Sequence, residues 1–543
     1  MATPTQTERA TNVRTAHGSR LVLHGIAVAL LSAYPLSLIL RANLGVVPIG
    51  ASSMLWVLAV DVMMAGALFL ALRVATSDVG ARASWLGVFF LLFGIYAVVL
   101  QLTNALGWPL LPERPRVAIG YTVIIAAIAT VAVRPWKIRT RDPIPLLIVG
   151  IVLVGTNTAV GVSRAVTFSS VSADEGGGWQ PAAARLIDQA TSGPTGTATR
   201  ASRDIYYIVM DGFGRADTLG RVYDLDLGDF VAFLNARGFY VASQAQSNYG
   251  QTYLSLAATL NLGYLNDVAA AMGRGNSDRT PLSYLIDHNA LMILAKRAGY
   301  QVVGIGSDYM ATEYLAAADV CKCEQFGSSE TEQAVFASTP LMAIALGPRA
   351  FNAHRRKVLR AFDDLEQGSG PGTRSFVFAH ILAPHPPFVF MPDGNAPEAE
   401  GLFMFQDGSH YQGSREEYRQ GYRNQAQFVI RRLETVIDSL LDRPGPRPVI
   451  VIHGDHGPGL GLDWTSAKRT DMAERMSIFA AYLLPDGREQ PYASITPVNG
   501  ARLLANDYLG TTLPRLEDKS FFSTWERPFD FLPVSASTVS TND

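Results

Sequence analysis

The chain has 543 residues, 48% of them hydrophobic and 17% charged, with a formal net charge of −2. That length leaves room for more than one domain, and so even a charge balance argues against a nucleic-acid partner. The apolar residues are not spread evenly but crowd ahead of residue 165.

Five hydrophobic runs fill that first part, at about 21–41, 53–74, 84–105, 117–134 and 144–163. Each is near the roughly 20 residues that a bilayer helix needs, and a signal peptide would account for only one of them. Residues 1–20 then read as a cytoplasmic tail and 21–163 as a five-helix transmembrane domain. Lys and Arg set the orientation. Arg9, Arg14 and Arg20 precede run one, Arg73 and Arg82 follow run two, and Arg134, Lys137, Arg139 and Arg141 follow run four. The other side carries Arg41, Arg114 and Arg116, the last two beside Glu113. This bias puts the N-terminus in the cytoplasm, and five crossings place everything after residue 165 outside. His24 and Asp61 fall inside runs one and two. An ionisable group at that depth is either functional or part of a local polar pair near the interface.

Residues 164–203 change to Ser, Thr, Gly and Ala, the composition of a linker or juxtamembrane segment. Trp179 in it is a candidate interfacial anchor. The two cysteines of the chain, Cys321 and Cys323, lie in the external part. A bond between such close partners is strained, and no second Cys or His cluster nearby completes a zinc site. They read as structural or incidental.

Residues 204–535 alternate apolar strands with helical stretches, which argues for a mostly parallel sheet sandwiched by helices. The strand 204–210 ends in Asp211-Gly212-Phe213-Gly214. From Thr252 to Leu260 the pattern is helical, with Leu256 and Leu260 four apart and Ser247 and Asn248 as capping candidates ahead of it. Thr252 would then sit in a first turn, where unpaired N–H groups favour an anion. Its hydroxyl is either a cap or an activated nucleophile. Strands at 300–305 and 375–381 follow, and His380 and His385 bracket the end of the second. A long helix is expected over 416–441, with Tyr422, Phe428, Ile430 and Leu433 toward the core. It leads into a buried strand, 448–452, that breaks into His453-Gly454-Asp455-His456-Gly457. Ligands sit beyond the carboxyl ends of such strands, and an Asp-His pair there suits a divalent metal. After a strand near 478–484, residues 497–514 read as a closing helix. Asp211, Thr252, His380, His385, Asp455 and His456 form an oxygen-rich set with histidine, the type that holds Zn²⁺ or Mn²⁺.

Taken together the chain resembles the alkaline phosphatase/sulfatase superfamily. More narrowly it resembles the membrane-anchored envelope transferases of the lipoteichoic acid synthase and lipid A phosphoethanolamine transferase type. The resemblance implies an alkaline phosphatase-like catalytic domain in which Asp211, Thr252, Asp455 and His456 bind one divalent metal, Zn or Mn, with Mg or Ca as further options. Thr252, in T-Y-L-S-L, matches the nucleophile, and the H-x4-H of His380 and His385 matches substrate-binding histidines. The Asp-Gly-Phe after the first strand is also similar to the nucleotide-pyrophosphatase/phosphodiesterase branch. Two-metal branches carry a D-x3-H and a histidine later than His456, and neither is present here. Where some transferases have that late histidine, this chain offers Lys468. No C-x-P-x-R or S-x-P-x-R run is present to generate formylglycine, which argues against an ordinary sulfatase.

Three readings follow. The first is a transferase that moves a phosphoryl-containing headgroup from a membrane phospholipid to an envelope glycan or lipid through a covalent phospho-threonine. The second is a hydrolase of phosphate or sulfate esters at the same site. The third is a non-catalytic envelope scaffold.

Overall fold

A computed structural model describes residues 6–34, 36–37, 41, 51–74, 77–94, 143–170, 178–193, 203–323, 348–368, 374–398, 403 and 405–535. The chain divides into two units. One holds Met1–Ser169 with Gln325–Ala350 and Glu400–Leu402; the other holds Ser170–Glu324, Phe351–Ala399 and Phe403–Asp543.

In the first unit, helices span Gln6–Ser32, Ala51–Ala71, Val79–Gly94 and Ile144–Ser170. The first begins inside the stretch read as a tail. Among the described residues, Ile144–Ser163 is the helix long and apolar enough to cross a membrane. The run expected at 117–134 lies outside the described residues, as does 95–105 of the third run. Leu31, Leu86 and Phe90 form a small core among these helices. His24 is buried, with Nε2 3.1 Å from the Ser84 hydroxyl and Nδ1 2.8 Å from the Arg20 carbonyl. That is the local polar pair, one of its two expected readings.

The second unit is built on a seven-stranded sheet. Its strands are β1 Ile205–Met210, β2 Tyr240–Val241, β3 Gln301–Ile305, β4 Val320–Lys322, β5 Ser375–Ile381, β6 Val449–Gly454 and β7 Ala480–Leu483, in the order β2-β7-β6-β1-β5-β3-β4. The pairs β6–β1, β1–β5, β5–β3 and β3–β4 are parallel, and β7 runs antiparallel to both its neighbours. β8 Ser520–Phe522 and β9 Leu532–Val534 form a separate antiparallel pair.

Apart from Ser375, His380, His453 and Gly454, the central strands are apolar, because both faces are covered. Ile205, Tyr207, Val209, Phe376, Phe378, Val449 and Val451 enter one core. Tyr206, Ile208, Met210, Val377, Ala379, Ile450 and Ile452 enter the other. This two-residue alternation splits each strand between two helical layers. The helices Thr252–Leu260, Ala290–Arg297 and Pro497–Tyr508 cover the first face. Pro348–Gln367 and Arg415–Leu441 cover the second.

Several boundaries differ from expectation. β6 continues two residues further, because His453 and Gly454 still pair with Val209 and Met210 of β1. The last helix stops at Tyr508 rather than near residue 514. The 164–203 stretch contains a helix, Gln180–Thr191, whose Ala182, Ala183 and Leu186 are buried in the first core. Trp179 packs edge-on against Tyr284, with ring centroids 5.4 Å apart. Cys321 and Cys323 are bonded to each other at β4, a strand too short to stand out in the sequence.

Candidate active site

Parallel pairing brings three strand ends together. Val209 of β1 is in register with His380 of β5 and His453 of β6, so Asp211 and Asp455 each follow their strand at the same height. Gly212 turns the chain there at φ +72°, a conformation that glycine adopts without Cβ strain. Its N–H donates to Asp455 Oδ1 at 3.0 Å. The other Asp455 oxygen, Oδ2, and Oδ1 of Asp211 are buried with no hydrogen-bond partner.

His456 lies between these orphaned oxygens. Its Nε2 is 3.5 Å from Asp211 Oδ1 and 3.3 Å from Asp455 Oδ2. Nδ1 lies 3.0 Å from the carbonyl of Gly457. A carbonyl only accepts, so the proton is assigned to Nδ1 and the Nε2 lone pair faces the carboxylates. Burial, aided by the Arg475 charge, pushes the His456 pKa down and keeps the ring neutral. Burial pushes Asp211 up, but the neighbouring His385 and the hydrogen bond from His380 outweigh it and hold the carboxyl below its usual range.

Thr252 completes the cluster. It is the first residue of its helix, with Gln251 before it in extended conformation. Its Oγ1 is 3.0 Å from His456 Nε2. Ser255, one turn on, donates to the Asp455 carbonyl at 2.7 Å and fastens this helix to the loop that carries Asp455 and His456. Ser247 and Asn248 are not caps. The Ser247 hydroxyl is within reach of the carbonyls of Asp455 and Tyr249, and Asn248 binds Lys519 O and Val498 N. Both side chains are turned away from the helix start by these tertiary partners.

Four donor atoms therefore converge: Asp211 Oδ1, Asp455 Oδ2, His456 Nε2 and Thr252 Oγ1. Suitable ligand atoms of Asp211, Asp455 and His456 lie within 4.8 Å of one another. Two buried carboxylate oxygens without partners, facing a neutral imidazole, fit a divalent cation.

His380 and His385 occupy different places. His380 is buried behind Asp211, with Nε2 3.4 Å from Asp211 Oδ2 and Nδ1 2.8 Å from the Thr312 hydroxyl. His385 sits between Pro384 and Pro386, and its backbone N–H donates to the Asp211 carbonyl at 3.1 Å. Gln425 on the long helix holds the His385 carbonyl at 2.9 Å. His385 Nδ1 lies against the Pro386 carbonyl, and Nε2 is 3.8 Å from Asp407 Oδ2. Lys468 stands apart, exposed on the turn Ala467–Arg469, with no hydrogen bond or ion pair among the described residues.

Sequence reasoning missed Asp407, Tyr418 and Arg475. Asp407 is buried and accepts from the Tyr418 hydroxyl at 2.5 Å and from Arg475 at 2.8 Å. Burial pushes its carboxyl up, and the Arg475 charge, then that of His385, brings it below the usual range. No local pattern marks them in the sequence; in the fold Gly459 packs so closely that a Cβ there would come within 2.2 Å of Asp407 Oδ1.

No family model and no curated protein sequence matches the chain. Solved structures do. The chain is similar to the C-terminal periplasmic domain of EcEptC from Escherichia coli in complex with zinc, at 12% identity and a TM-score of 0.40, covering 62% of this chain and 93% of that one. It is similar to a putative sulfatase from Bacteroides thetaiotaomicron, at 14% identity and a TM-score of 0.38, covering 61% and 75%. It is also similar to the integral membrane lipooligosaccharide phosphoethanolamine transferase A of Neisseria meningitidis, at 14% identity and a TM-score of 0.32, covering 84% and 88%.

Proposed function

We propose that this is a metal-dependent, membrane-anchored transferase. It would move a phosphoryl-containing headgroup from a phospholipid to an envelope glycan or lipid through phospho-Thr252. The observation that carries the reading is Thr252 Oγ1, 3.0 Å from His456 Nε2, beside two buried carboxylate oxygens that have no partner. A hydroxyl in that position at a helix start is arranged as a nucleophile, where a cap would face its own backbone.

Asp211, Thr252, Asp455 and His456 would hold one divalent ion, zinc or manganese by the donor set. When bound it supplies a Lewis acid that lowers the hydroxyl pKa and offsets phosphoryl charge. In the first half-reaction the Thr252 Oγ–phosphorus bond forms as the bond from phosphorus to the diacylglycerol oxygen breaks. In the second, an acceptor hydroxyl forms the new ester and the Thr252 bond breaks. His385 Nε2, its ring oriented by Asp407, passes the proton displaced from Thr252 to the departing oxygen, and in the second half-reaction passes the acceptor's proton back to Thr252 Oγ1. His380 orients Asp211 from behind. The first turn of the Thr252 helix stabilises the phosphoryl oxygens with backbone N–H groups. Lys468, exposed beyond the cluster, is left with the entering substrate rather than the reacting phosphorus.

The five apolar runs support a lipid donor, because they tether the catalytic unit to the membrane where headgroups are concentrated. The Lys/Arg bias supports a cytoplasmic N-terminus and a catalytic unit on the outer side of the plasma membrane.

The test is acceptor dependence. The full chain is incubated with headgroup-labelled phospholipid vesicles and an envelope glycan and lipid fraction. Label carried into that fraction supports the transferase. Label released only as a water-soluble ester assigns hydrolysis instead.

A further inference from the structure

The proposed reaction needs three distant segments in register: the loop entering the Thr252 helix, the loop after His456, and the loop that sets Asp407 beside His385. One side chain touches all three. Arg475 is 1% exposed. Its Nε donates to the carbonyl of Gly250 at 2.9 Å, two residues before Thr252. One terminal nitrogen donates to the carbonyl of Gly457 at 3.1 Å and to Asp407 Oδ2 at 2.8 Å.

The Gly457 contact matters most. Its carbonyl is the acceptor that fixes the His456 tautomer, and its N–H donates to the Arg475 carbonyl at 2.8 Å. Gly457, whose carbonyl orients the metal-facing imidazole, is thus held by Arg475 at both its C=O and its N–H. Gly457 permits this approach, since a Cβ there would come within 2.0 Å of the Glu474 carbonyl.

Stability alone does not call for this residue. Burying a guanidinium and a carboxylate costs desolvation, and an apolar pair of equal volume is often at least as stable. A planar fork with donors in fixed directions, however, holds three acceptors at set angles, which a lysine ammonium on a flexible stem does not.

We propose that Arg475 is the positioning residue of the site, a clamp that sets Thr252, His456 and His385 relative to one another. This rests on the phospho-threonine reading. It adds that substituting a residue which never meets substrate impairs both turnover and metal binding.

The experiment uses the full chain in detergent, with vesicles of phosphatidylglycerol and phosphatidylethanolamine that carry a fluorescent acyl chain. Diacylglycerol release gives kcat and KM, chelator competition gives zinc affinity, and a melt gives the folded fraction. For Arg475→Lys, kcat per folded molecule falls about a hundredfold with KM within about threefold. Zinc affinity drops about tenfold, as when a ligand's outer hydrogen bond is removed. Asp407→Asn cuts one arm of the clamp. It lowers kcat and leaves zinc affinity within about twofold, because the Gly457 arm remains.

Folded Arg475→Lys with kcat and zinc affinity within about twofold of wild type overturns the proposal. So does loss of folding in both variants, which assigns the network to stability alone. Wild type that releases no diacylglycerol and gains no mass on Thr252 defeats the phospho-threonine reading. The zinc affinity of Arg475→Lys still judges the clamp in that case.

Discussion

Asp455 uses one carboxylate oxygen for structure, accepting the Gly212 N–H, and leaves the other facing His456. Glu474 is another buried carboxyl of this unit, and its behaviour differs. Burial pushes it up from 4.5 to about 7, against the Tyr223 hydroxyl and the Gly461 N–H that bind its oxygens. A pKa raised in the folded state means that the folded form holds the proton longer. The stabilisation is complete below 4.5 and is lost as pH rises through 7. Glu474→Gln therefore gains on wild type as pH rises across that window, on the order of 3 kcal/mol in all. Melts of both proteins between pH 4.5 and 8 check this, and parallel curves would contradict it. Asp211, Asp455 and His456 were legible in the sequence because each directly follows an apolar strand. Asp407 and Arg475 were not, because they come from a loop and the five-residue helix Met472–Met476 and meet only through the tertiary fold.

At the scale of elements, the helix Arg415–Leu441 carries Tyr418 to Asp407, Tyr422 to the Gly212 carbonyl and Gln425 to His385. A capping box fixes its start. Ser414 Oγ accepts the Glu417 N–H at 3.2 Å, and the Glu417 carboxylate accepts the Ser414 N–H at 2.6 Å. Ser414→Ala costs about 1 kcal/mol by denaturant titration. An unchanged midpoint would show that packing alone sets this end. The helix itself was legible from its apolar spacing, and Thr252–Leu260 from its leucines. The caps proposed for the latter were not, since Ser247 and Asn248 have the right chemistry at the right place but bind distant carbonyls and amides instead. Local sequence fixes which groups are available, and tertiary contacts decide where they bond.

At the scale of the whole molecule, β1 lies between β6 and β5, and their parallel direction gathers Asp211, Asp455, His456 and the His380–His385 segment at one edge of the sheet. The parallel core was legible from strand–helix alternation. The antiparallel β7 and the two-residue β2 were not, because pairing direction leaves no mark on so short an apolar run. The central claim is that this edge holds a nucleophile, and intact-mass analysis addresses it directly. Full-length wild type and Thr252→Ala are incubated with phospholipid vesicles, with zinc and with chelator. A mass increment equal to the transferred group is expected on wild type with zinc only, and none on Thr252→Ala. An equal increment on Thr252→Ala, or turnover by that variant at the wild-type rate, would contradict it.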